Sequence, residues 1–325
     1  MSIIFYCNGG SDQGFGHVSR CIILAGILEQ DRSGRSISFC GDYDGEVLKR
    51  IRRACPTVTI EPSGNFSPTA VAVIDRMTNK LDPSDWDDDF LGAVRRTSGA
   101  VVHIGSGIRG PDPAGNMICI GYQPCAELEA LPGLHWGLEF APVPPGLRKV
   151  AERRPDRHRA FVGIGGGGDT DSLSTVLSAL EDVEQVHAID VLISPVAEYD
   201  LSTDVTKKPV TFHQNVPSVA PLLARAGLVV ASHGNLLFEA LALGAPVCVV
   251  GQKEFQSEYG ELFEEMGLAI SGGILGAVGS RALTVLFERT LENAEQLSAK
   301  AFAEIDDQGL IRTARLIDRQ FKKRA

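Results

Sequence analysis

The chain has 325 residues, 44% hydrophobic and 22% charged, with a formal charge of −10 from 31 Lys+Arg against 41 Asp+Glu. That length favours two cores over one, and the ordinary composition excludes a disordered or fibrous chain. The acidic balance repels a phosphate backbone and so argues against nucleic acid as the main partner.

The seven cysteines form no C-x-x-C pair, which fits free thiols in a reducing compartment. The first residues lack the basic-then-apolar pattern of a secretory signal, so a cytoplasmic location is expected. No apolar run approaches the roughly 18 residues of a membrane span, and peripheral membrane contact stays open.

In chain order, residues 2–7 (SIIFYC) read as a buried strand, followed by NGGSDQGFG and a helical pattern over 17–30. Strands follow at 36–40 (SISFC), 70–74 (AVAVI, ending at Asp75) and 100–104 (AVVHI, ending in GSGIRG), with a helix at 47–53. Residues 141–159 are rich in Pro and Arg and read as an interdomain linker. The alternation then restarts with strands at 160–164, 187–193, 210–213, 228–231 and 246–250, the last clear one, and helices at 172–180 and 236–243. Short apolar strands alternating with helices predict parallel sheets covered on both faces. Two α/β domains are expected, 1–145 and 146–325.

Ligands in such sheets bind beyond the carboxyl ends of the strands, and three turns occupy that position. In GFGHVSR, Gly14 and Gly16 permit a tight turn and close approach of a substrate, and Arg20, within the helix that follows, is a further expected substrate contact. His17 falls at the start of that helix, where the dipole disfavours imidazolium, and a neutral imidazole suits a general base. The bland reading of His17 is a residue that merely caps the helix. The second turn, GIGGGGDTD, contains Gly166, Gly167, Gly168 and Asp169. It formally matches G-x-G-x-x-G (Gly163, Gly165, Gly168), but the following strand does not end in the acidic residue a dinucleotide site wants. Tight helix–sheet packing is its bland reading.

The third turn, SHGNLLFEALALGAP, offers Ser232, His233, Gly234 and Asn235 at a helix start, where free amides suit a diphosphate. Glu239, one turn in, is an acceptor for ribose hydroxyls, and Gln256 is a further polar contact. The acidic WDDDF at 86–90 invites a metal reading but equally suits a helix start. No metal site is expected, and no serine-nucleophile elbow is present.

Together these turns resemble the GT-B nucleotide-sugar enzymes. The nearer likeness is to the spore-coat-polysaccharide SpsG group, which includes the UDP-sugar hydrolase of pseudaminic acid biosynthesis. MurG-type glycosyltransferases are more distantly similar. The resemblance implies two Rossmann-like domains facing across a cleft, with nucleotide and diphosphate held by Gly166, Gly167, Ser232, Gly234, Asn235 and Glu239. It implies that His17 is the catalytic base and that Asp75 is an acid lining the same cleft. The chemistry implied is metal-independent single displacement with inversion, and the nucleotide-sugar is a substrate, with no cofactor. Two departures stand out. An acidic I-D-D turn of hydrolase-like members is here Ile104-Gly105-Ser106, and their Y-A-L-x-R segment is Phe140-Ala141-Pro142-Val143-Pro144, without the arginine. These losses favour a glycosyltransferase using a hydroxyl acceptor, and the resemblance alone implies that the donor is a UDP-linked sugar. The alternatives are a hydrolase using water, an NAD(P)-dependent oxidoreductase, and a non-catalytic binding protein.

Overall fold

A computed structural model describes residues 2–10, 14–30, 34–76, 88–105, 116–122, 133–150, 152, 155–165, 170–193 and 206–324. The chain divides into two compact units, Met1–Pro145 with Gln308–Ala325, and Gly146–Asp307.

The first unit carries β1 (Ser2–Cys7), α1 (Gly16–Gln30), β2 (Ser36–Cys40), α2 (Gly45–Ala54), β3 (Thr59–Glu61) and β4 (Thr69–Asp75). It continues with α3 (Asp88–Thr97), β5 (Ser98–Ile104), β6 (Met117–Gly121) and β7 (Leu134–Trp136). The strands form one sheet in the order β3-β2-β1-β4-β5-β6-β7, every pair parallel. The order reverses between β1 and β4, so the chain leaves those two neighbours toward opposite sides and opens a crevice at their carboxyl ends. Phe5 and Phe39, both fully buried, stack at 5.4 Å on one face. Tyr6, Ile74 and Val101 belong to the core on the other face.

The second unit begins with α4 (Leu147–Val150), β8 (Asp156–Gly163), α5 (Thr170–Glu181), β9 (Ala188–Ile193), β10 (Val210–Gln214) and α6 (Ala220–Arg225). Then come β11 (Ala226–Ala231), α7 (Asn235–Ala242), β12 (Val247–Gly251), α8 (Glu254–Glu265), β13 (Ile270–Ile274), α9 (Ser280–Glu292) and α10 (Ala294–Glu304). Its sheet runs β10-β9-β8-β11-β12-β13, again parallel throughout. The reversal falls between β8 and β11. Both units are therefore Rossmann-like.

Three expectations are corrected. The last helix, α11 (Gly309–Lys322), packs in the first unit, although residues 308–325 were expected in the second domain. Its apolar face buries Leu310, Ala314, Ile317 and Phe321, and the Arg35 guanidinium lies over the Phe321 ring while pairing with Asp318 at 2.8 Å. A Cβ at Gly309 would collide with the Ala141 backbone, which brings the helix start close to the end of the first unit. Second, the boundary between the units does fall within 141–159, between Pro145 and Gly146, but the stretch is shorter as a linker than expected, because Ala141 and Val143 are fully buried and β8 already begins at Asp156. Third, the strand at 246–250 is not the last. β13 (ISGGI) follows it, and its paired glycines mask the strand pattern in the sequence. Gly272 has no room for a Cβ beside Val250 and Cys248, and Gly273 adopts φ +70°.

Because Ile317 is fully buried in the first unit, Ile317→Ala is expected to cost about 2–5 kcal/mol. Hydrogen exchange should then lose protection in α1 and β4 but not in β8 or β11. Losses confined to β8 and β11 would contradict the assignment of α11.

Candidate active site

The chain leaves β1 at Cys7 and turns through glycines before entering α1. Gly10 and Gly14 exchange backbone hydrogen bonds of 3.2 and 2.8 Å, closing the loop. Gly14 adopts φ +70°, a region that disfavours any other residue. The closed loop delivers the first turn of α1, with Gly16 and His17, to the crevice between β1 and β4. Asp75 ends β4 beside Cys7, its registered neighbour on β1.

His17 and Asp75 meet there. His17 Nδ1 lies 2.6 Å from Asp75 Oδ1, with the imidazole 21% exposed and the carboxylate not at all. Arg20, one turn along α1, donates from Nε to Asp75 Oδ2 at 2.9 Å and from Nη2 to Oδ1 at 2.6 Å. Burial alone would raise the Asp75 pKa, but Arg20 and then His17 hold the carboxyl well below the usual carboxylate range. Asp75 is thus ionised and accepts only, so His17 Nδ1 must carry the proton and donate it. The 3.0 Å between Arg20 Nη2 and His17 Nδ1 follows from two donors sharing one oxygen. The tautomer so assigned leaves His17 Nε2 as the basic nitrogen.

Arg20 was expected to touch substrate, and the structure corrects this. Its side chain is 4% exposed and its fork is committed to Asp75. Two neighbours have no role assigned from the sequence. Tyr122, just past β6, is buried with its ring 5.2 Å from the Arg20 guanidinium. His103 on β5 is buried, and that burial pushes its imidazole down to about 4. Neither has a motif around it, so only the strand order brings them near.

In the second unit the turns after β8 and β11 are joined where Ser232 N–H donates to the Gly163 carbonyl at 3.3 Å. Gly163 has no room for a Cβ beside the Leu236 side chain, and Gly165 adopts φ +90°. Gly166, Gly167, Gly168 and Asp169 lie outside the described residues, as do Trp86 and Asp87 of the acidic run. Ser232 is 4% exposed, and among the described residues its Oγ has no hydrogen-bond partner. The same holds for the buried Nε2 of Gln252, which the sequence reading missed. A Cβ at Gly165 would stand 3.5 Å from Gln252 Oε1 and 4.0 Å from Ser232 Oγ, so the three form one polar corner.

Gly234 caps α7 and Asn235 opens it. His233 stacks on Tyr259 at 4.4 Å and meets Phe238 edge-on, so its ring serves packing. Gln256 was expected as a ligand contact. Its carboxamide oxygen instead accepts from the Gln252 and Lys253 amides at 2.7 and 3.2 Å, capping α8. Glu239, in the second turn of α7, is pushed up to about 7 by burial.

Two parallel Rossmann-like sheets of this kind make up the GT-B fold, and the solved structures that the chain resembles have it. The calicheamicin glycosyltransferase CalG4 aligns over 100% of this chain and 99% of its own, at TM-score 0.66 and 14% identity. MurG of Acinetobacter baumannii aligns over 98% and 100%, at TM-score 0.57 and 14% identity. The glycosyltransferase VinC, solved in complex with DTDP, aligns over 99% and 100%, at TM-score 0.56 and 13% identity.

In sequence, the chain is 21% identical to the spore coat polysaccharide biosynthesis protein SpsG of Bacillus subtilis, across 98% of both chains. It is 23% identical to an uncharacterized protein of Methanocaldococcus jannaschii over 79% of its own length, spanning 57% of that relative. No protein-family model matches the chain. No described helix is long and apolar enough to cross a membrane.

The raised Glu239 value has a signed consequence. Between the free value of 4.5 and the folded value of about 7, the folded state holds more protons than the unfolded one. Its contribution to stability is therefore complete below the free value and lost as pH rises through the folded one. Glu239→Gln is expected to flatten the fall in melting temperature between about pH 5 and pH 8. An unchanged slope would contradict the assignment.

Proposed function

We propose that the protein is a glycosyltransferase acting on a nucleotide-sugar, most simply a UDP-sugar, with His17 as the general base. The observation that carries this is the 2.6 Å contact between His17 and a fully buried, ionised Asp75 at the reversal point of the first sheet. Mere binding needs no such pair. His17 Nε2 takes the proton of an acceptor hydroxyl as its oxygen attacks the anomeric carbon. The bond from that carbon to the diphosphate breaks on the opposite side, so the configuration inverts. Asp75 stabilises the imidazolium that results.

The second unit takes the nucleotide. The amides at the start of α7 (Gly234, Asn235) hold the diphosphate, Glu239 accepts from ribose hydroxyls, and by sequence Gly166, Gly167, Gly168 and Asp169 complete the nucleotide-side set. Helix dipole and amides stabilise the departing diphosphate without a metal ion. The free cysteines, six of them buried among the described residues, support a cytoplasmic location. The loss of the acidic turn at Ile104-Gly105-Ser106 favours a hydroxyl acceptor over water.

His17→Ala is expected to lower turnover about 10²–10⁴-fold while nucleotide affinity changes within a few-fold. The check is product analysis with and without candidate acceptors, alongside calorimetric binding. Lost nucleotide binding in a folded His17→Ala protein would return His17 to a structural role. Full turnover of the wild-type protein with water alone would replace the transferase by a hydrolase.

A further inference from the structure

We infer that Arg20 is the positioning residue of the His17–Asp75 pair, its guanidinium fork setting the carboxylate while the Tyr122 ring braces the fork. This rests on the reading of His17 as the base. Asp75 is fully buried and has four acceptor lone pairs across its two oxygens. Arg20 Nε takes one on Oδ2 and Nη2 takes one on Oδ1, which leaves the carboxylate no freedom to rotate. With the plane so fixed, a remaining lone pair of Oδ1 meets His17 Nδ1 at 2.6 Å.

The spacing is local in sequence as well as in space. His17 and Arg20 are three residues apart on α1 and therefore share a face of the helix. Asp75 arrives from β4, and Tyr122 follows β6, two strands further along the sheet. The aromatic face lies 5.2 Å from the guanidinium carbon, within range of a cation–π contact. Arg20 itself is 4% exposed, so the fork is enclosed by protein.

The fork has two effects on chemistry. It keeps a water-free carboxylate charged, since burial opposes ionisation and the guanidinium is the largest opposing influence. It also selects the His17 tautomer, because only an ionised Asp75 whose Oδ1 is held toward the imidazole demands a proton on Nδ1. A lysine at position 20 would supply charge but could not span both oxygens. Arg20 thus acts through Asp75 on His17 and touches no reacting atom.

The test compares the wild-type protein with Arg20→Lys and Tyr122→Leu. The seven histidines are labelled with ¹⁵N, and the His17 signals are assigned by their loss in His17→Gln. The wild-type His17 is expected to carry its proton on Nδ1. Arg20→Lys should shift the tautomer toward Nε2 and lower kcat about tenfold or more, with KM for the nucleotide-sugar within a few-fold. Tyr122→Leu, which keeps the fork, should move both readouts in the same direction by less. A wild-type tautomer and kcat in Arg20→Lys would overturn the inference. Should Arg20→Lys fail to fold, an unshifted tautomer in Tyr122→Leu would overturn it instead. The imidazole spectrum needs no substrate. Absence of any nucleotide-sugar turnover in the wild-type protein would therefore remove the proposed function while leaving Arg20 to be judged by the tautomer.

Discussion

A carboxylate removed from water is costly unless other groups hold it, and the cost is what makes its partners matter. Asp75 is the terminal residue of a strand in the middle of a seven-stranded sheet, fully buried. It is held by an arginine and a histidine that reach it from a single helix. That arrangement constrains everything around it. The loop before α1 must close tightly so that the first turn of the helix meets the end of β4, which accounts for Gly14 at positive φ. Strand β1 must lie beside β4, because the residue registered with Asp75 is the one from which the loop departs. The reversal of strand order between β1 and β4 then leaves the imidazole edge partly open.

The second sheet reaches the same topological solution with different chemistry. Its reversal point, between β8 and β11, holds glycines, a buried hydroxyl and the start of a helix rather than a charged pair. Amides and a helix dipole suit an anion that must bind and leave, whereas a buried ion pair suits a base that must stay fixed. Glu239 sits between these cases. Burial raises it to about 7, so hydroxyl donors from a ligand would favour its ionised form.

Much of this is legible in the sequence. The strand–turn–helix order marked both sites, since apolar runs ending in glycine or aspartate have few other readings in an α/β chain. His17 and Asp75 could be named, but their contact could not, because it depends on which strands are neighbours and the period of a strand says nothing about its place in the sheet. Arg20 was misread for a related reason. A polar residue one turn past a glycine loop looks like a ligand contact until a buried acid is found facing it. Tyr122 and Gln252 carry no motif at all. Gln256 looked free in sequence, yet its place at the third position of α8 directs it to the helix start. The last helix was assigned to the wrong unit because an amphipathic pattern shows that a face is buried and not what buries it.

The proposed function requires the second unit to bind a nucleoside diphosphate. Thermal-shift titration with UDP, CMP, GDP, dTDP and NADH tests it most directly. A ligand at about 100 times its dissociation constant stabilises the folded state by about 2.7 kcal/mol, a readily measured rise in midpoint. The account predicts that a nucleoside diphosphate gives that rise and NADH does not. A rise with NADH alone would make the glycine turn after β8 a dinucleotide site and would contradict the assignment of His17 to glycosyl transfer.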